Sequence, residues 1–218
     1  MDKVVSNFKN SLVINSVDIL QDYAEIGIDS FIDNEIVKSI PIIKSVVSAR
    51  RIINSISDRK LLRNMAIFII ELNSGNVNKE KLEKHIKSLE DSKKAEKELG
   101  RFLMILDQTI DAEKSALYAK IYKAYINQKI NWELVTEFTE IVSRLFLQDL
   151  NILKDLYSNK KFITSNLNED RKNQFRIERL YSLGIIGYSA KALFPGGGAE
   201  NYVNLNEIGK LFAKVIFE

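Results

Sequence analysis

Cysteine is absent from the 218 residues. That excludes a disulfide framework, a thiolate zinc site and a cysteine nucleophile, and it suits a reducing cytoplasm, where the chain is expected to reside. Proline occurs only at Pro41 and Pro195, and histidine only at His85. A β-rich fold needs more turn chemistry than this, so helices are expected. A lone histidine beside Lys84 has no partner at metal-ligand or proton-transfer spacing, and it is read as a surface residue. No uncharged apolar run approaches the ~20 residues of a spanning helix. The start, Met1-Asp2-Lys3-Val4-Val5, has neither an apolar signal core nor a glycine for myristoylation. Gly196-Gly197-Gly198 follows Pro195 and not a strand-to-helix phosphate turn. No catalytic or metal motif is present, so the chain is expected to be non-enzymatic, with no cofactor and no small-molecule substrate.

What is present is an ordinary globular balance, 45% apolar and 28% charged, with a formal net charge of +3. That charge is too mild to argue for nucleic acid by itself. Apolar spacing near 3.6 residues predicts helices over 6–31, 34–55, 58–72, 78–89, 92–106, 111–125 and 131–146, the last extending as far as 156. Asp58, Asn78, Asp111 and Asn131 are the expected caps, and Pro41 lies near a first turn. The polar stretch 158–168 reads as a linker. The fold class is therefore mainly α: a multi-helix bundle over 1–157, then a small α+β module over 169–218 with one β-hairpin.

That module is marked by punctuation. Six of the nine glycines fall after Arg176. A helix ends at Gly184, two strands flank the triple glycine, and a helix follows Asn206. Its candidate contact residues for nucleic acid or another partner are Lys172, Arg176 and Arg179 on the helix and Lys191 in the hairpin. The competing reading is a solvated helix face with Ile177, Leu180 and Leu183 turned inward. Ile177-Glu178-Arg179-Leu180-Tyr181-Ser182-Leu183-Gly184-Ile185-Ile186, followed by Tyr202-Val203-Asn204-Leu205-Asn206-Glu207-Ile208-Gly209, resembles the recognition helix, wing and next helix of winged-helix repressors. Asn206 stands where that family commonly has a threonine cap. The resemblance covers about a fifth of the chain and extends to protein-interaction modules.

The segment 36–56 is apolar nearly all round, basic and almost free of acids. It is either a central bundle helix or an interfacial helix of a membrane-acting toxin or exclusion factor. The helical part, through Ile40-Pro41-Ile42-Ile43-Lys44, Asp58-Arg59-Lys60-Leu61 and Arg144-Leu145-Phe146-Leu147-Gln148-Asp149-Leu150, resembles uncharacterised bacterial mobile-element proteins. With the tail it resembles the abortive-infection alpha family. That resemblance implies phage defence or conflict. The leading expectation is an interaction or regulatory protein with a protein partner or self-association, nucleic acid being possible and a membrane the alternative.

Overall fold

The computed structural model describes residues 3–13, 28–49, 55–74, 77–159, 162–163, 171–192 and 199–218. They form two compact units, Met1–Val135 and Thr136–Glu218. The architecture is mainly α with a C-terminal hairpin, as the sequence predicts.

The first unit contains α1 (Lys3–Asn10), α2 (Ile28–Asp33), α3 (Glu35–Ser39), α4 (Pro41–Ala49), α5 (Ile56–Asn73), α6 (Lys79–Ser88), α7 (Ser92–Gln108) and α8 (Glu113–Ile126). Its centre is α5, where every residue from Asn64 to Ile70 is buried. Phe68 of α5 lies 5.7 Å from the Phe8 ring, 5.1 Å from Phe102 and 6.1 Å from Tyr122. These tilted ring pairs add to the burial of apolar area that drives the packing. Buried Asn64 donates from Nδ2 to the carbonyls of Leu106 (2.8 Å) and Thr109 (2.9 Å), satisfying acceptors at the end of α7.

Several sequence expectations change here. The helix expected over 6–31 ends at Asn10 in its first part, and residues 14–27 lie outside those described. The helix expected over 34–55 is divided. Pro41 is the first residue of α4, where its missing N–H costs nothing, and Ile42 N donates to Ser11 Oγ at 2.8 Å. Ile40, Ile42 and Ile43 are buried while Pro41 and Lys44 are exposed. The described part of the segment thus has both a buried and an exposed side, residues 50–54 lie outside those described, and the stretch buried all round is 64–70 of α5. Among the described residues no helix is long and apolar enough to cross a membrane. Ser55, not Asp58, caps α5 through Asp58 N (3.0 Å). Asp111 makes no N-cap bond for α8, whose cap position is Ala112. Asn78 and Asn131 cap as expected, receiving Lys81 N (3.0 Å) and Leu134 N (2.9 Å).

Helix α9 (Trp132–Arg144) begins in the first unit and ends in the second. The second unit continues with α10 (Asp149–Tyr157), β1 (Phe162–Ile163), α11 (Arg171–Ser182), β2 (Ile186–Ala192), β3 (Ala199–Leu205) and α12 (Glu207–Phe217). The division therefore falls well before the boundary expected at 157. The reason is packing: Phe138 of α9 meets Phe212 of α12 edge-on at 5.2 Å, and Ile152, Leu153 and Leu156 of α10 are buried. The hairpin pairs Ile186 with Leu205 through to Ala192 with Ala199, and β1 adds at the other edge of β3, giving the order β1-β3-β2. The triple-glycine tip lies outside the described residues.

One junction locks this module. Gly184 ends α11 at φ 73°, a left-handed conformation that glycine adopts without strain. Its carbonyl accepts from Asn206 Nδ2 (2.7 Å), and Asn206 Oδ1 accepts from Gly209 N (2.8 Å). A Cβ on Gly209 would lie 1.8 Å from the Ile185 carbonyl oxygen. Gly209→Ala is therefore predicted to destabilise the chain by about 3 kcal/mol or more, measured by urea denaturation. An unchanged midpoint would refute this reading of the junction.

Candidate functional site

Two groups of polar side chains stand out, one in each unit. In the first, α6, α7 and α8 bring His85, Glu98, Tyr122 and Tyr125 together. Glu98 sits on the inner face of α7 with its side chain 4% exposed, and His85 is 10% exposed. Tyr122 Oη donates to Glu98 Oε2 at 3.3 Å and Tyr125 Oη to Oε1 at 3.0 Å. His85 Nε2 lies 3.1 Å from Glu98 Oε2 and 2.8 Å from Tyr122 Oη. With the single Tyr122 proton given to Glu98, Nε2 carries the proton that Tyr122 Oη accepts. Lys94 Nζ is 3.9 Å from Glu98 Oε1.

His85 is therefore not the surface residue expected from its sequence. Helix α6 is polar along most of its length, and the signal that could have found the site was on another helix, where Glu98 occupies an apolar face beside Leu99 and Phe102. The carboxylate is ringed by donors from its own fold, so the cluster ties three helices together. Among the described residues no group of three or more histidine or acidic side chains is placed to hold a metal.

Burial first, then the Glu98 charge and its hydrogen bond, pushes the Tyr122 phenol well above its ordinary range. The same causes push Tyr125 up to about 12 from 10.0. Both phenols are neutral donors in the fold. A raised phenol pKa contributes stability that is fully present below the unfolded value and lost as pH rises through the folded one. Stability is predicted to be insensitive to these phenols below pH 10 and to fall toward pH 12. The Tyr125→Phe variant should show a shallower fall over that window, read by urea denaturation and tyrosinate absorbance. Ionisation of every tyrosine near pH 10 in the native chain would contradict the arrangement.

The second group lies on α11. Ile177 and Leu180 face the core, and the helix presents an outer surface. The four sequence candidates are not gathered there. Arg179 Nε donates to Asp149 Oδ2 at 2.9 Å, and its Nη2 to Oδ1, forming a bidentate pair with a fully buried carboxylate at the first turn of α10. Its guanidinium also lies 4.8 Å from the Phe146 ring centroid. Lys191 is set apart as well. Strand alternation puts Ile186, Tyr188 and Ala190 on one sheet face and Lys191 on the other, directly opposite Glu200. Lys172 is exposed and Arg176 half-buried.

Sequence reasoning missed the aromatic side chains around these cations. Phe175 is 60% exposed, Tyr181 54% and Tyr188 50%. The Tyr181 and Tyr188 rings are 5.3 Å apart, and burial, then Glu178, then Tyr181 raise the Tyr188 phenol. A third feature is a cavity of about 540 Å³ beside β3 and α12, lined by Leu156, Leu205 and Leu211 with Lys210 and Lys214 at its margin.

No protein-family model, curated protein or solved structure matches the chain.

Proposed function

We propose that this chain is a non-enzymatic interaction or regulatory protein whose C-terminal unit carries, over 169–218, a winged-helix-like module that binds nucleic acid through α11. The observation that supports this most is the order helix α11, glycine stop, hairpin, capped helix α12. It is the order on which the resemblance to winged-helix repressors rests. Lys172 and Arg176 supply cations for a phosphate backbone, with Arg171 beside them at the helix start. Arg179 holds α11 in place and does not reach the ligand. A setting in phage defence or conflict is supported only by the sequence resemblance, that of the helical part taken together with the tail. Burial of Ile40, Ile42 and Ile43 favours this interaction reading over a membrane-acting one.

The test is nucleic-acid binding by the full chain across a salt series. Lys172→Ala with Arg176→Ala should weaken binding and flatten the dependence of log K on log salt by roughly 0.7–0.9 for each phosphate that is no longer neutralised. No retention of nucleic acid at low salt, or an unchanged slope in the double variant, would remove the proposal.

A further inference from the structure

We infer that the ligand of α11 is a single strand whose unpaired bases stack on Phe175 and on the Tyr181–Tyr188 pair. This rests on the nucleic-acid reading above and names the form of nucleic acid it takes.

The argument begins with how α11 distributes its side chains. At about 3.6 residues per turn, Lys172, Arg176 and Arg179 share one flank, spaced four and three apart. Phe175 stands on the crest, opposite the buried Ile177 and Leu180. Tyr181 lies on the far flank, where its ring meets Tyr188 of β2 at 5.3 Å. Glu178 lies between the crest and that flank, its Oε1 accepting from Gln174 Nε2 at 3.0 Å. The described surface is therefore uneven: Lys172, Arg176 and Arg179 on one side, the two tyrosines and a carboxylate on the other, with Arg171 at the helix start in line with Glu178.

A duplex groove has phosphate rows on both walls. A helix seated in it would place one row against the flank bearing Glu178, Tyr181 and Tyr188. Among the described residues that flank has Arg171 at the first position of α11, two turns before Glu178, while Lys191 is on the opposite face of the hairpin across from Glu200; Glu178 and the two tyrosines make up the rest of it. A single strand is one-sided in the same way as α11, with phosphates along one edge and bases along the other. Its backbone can follow Lys172 and Arg176 while its bases turn toward the rings. The aromatic faces also have little use in a duplex, where bases expose edges to the grooves and their faces are stacked on one another. An unpaired base presents its π-face, and each base stacked on an aromatic side chain contributes enough affinity to be read by substitution.

The ring exposures fit this role. Phe175, Tyr181 and Tyr188 are each at least half exposed. Substitution there leaves the core of Ile177 and Leu180 intact, so binding and folding can be separated.

The experiment is fluorescence anisotropy of the full chain with one labelled mixed-sequence DNA oligonucleotide, used single-stranded and annealed to its complement, at fixed salt. The single strand should bind at least about tenfold more tightly than the duplex. Phe175→Leu keeps apolar bulk and removes the aromatic face. It should weaken single-strand binding by roughly tenfold, the effect of removing one ring from beneath a stacked base, while duplex binding changes little. Tyr181→Leu is the second variant, with the same expectation, and circular dichroism confirms that both fold. Duplex binding as tight as single-strand binding, or single-strand affinity unmoved by both variants, would overturn this inference and leave the nucleic-acid proposal standing. No binding to either form would overturn both.

Discussion

The C-terminal unit depends on one ion pair, between buried Asp149 at the start of α10 and Arg179 on α11. A carboxylate removed from water is costly unless it is paired and hydrogen-bonded. Here it takes two N–H donors from a single planar guanidinium, whose outer side rests against Phe146. Because both partners are fixed by their helices, the pair sets the rotation of α11 about its axis. That rotation decides which residues face outward. With Arg179 held against α10, Ile177 and Leu180 turn into the core, Phe175 reaches the crest, and Tyr181 comes to Tyr188.

The backbone junction after α11 works in the same direction. Gly184, Asn206 and Gly209 let the hairpin leave the helix and return to α12 with close main-chain contact at Ile185. The helix is thus fixed by charge along its length and by steric fit at its end. The surface it presents has Lys172, Arg176 and Arg179 on one flank and Tyr181, beside Tyr188, on the other.

The sequence made the local features legible and left the tertiary ones hidden. Gly184, the paired strands and Asn206 were readable because turn and cap chemistry is set by residues close in the chain. Asn78 and Asn131 were readable for the same reason. Asp58 and Asp111 misled, because an acid near a helix start competes with its neighbours for the cap position, and Ser55 took it in α5. The apolar spacing over 34–55 read as one helix, but Pro41 starts a new helix there, and among the described residues α5 holds the centre. Arg179 read as a solvated cation because its partner Asp149 is thirty positions away in sequence. His85 read as solvated because the polar character of α6 says nothing about Glu98 and the tyrosines opposite. Charged residues whose partners lie on other helices carry no local mark of their role.

The most direct test of this account is a double-mutant cycle on Asp149 and Arg179, each replaced by alanine singly and together, with unfolding free energy and amide exchange of α11 as readouts. Strong coupling is predicted, at least about 1.5 kcal/mol, because each single change leaves the other group without its partner. Exchange protection of α11 should fall in both single variants. Additive effects of the two substitutions, with α11 protected as in the unaltered chain, would contradict the claim that this pair orients the helix.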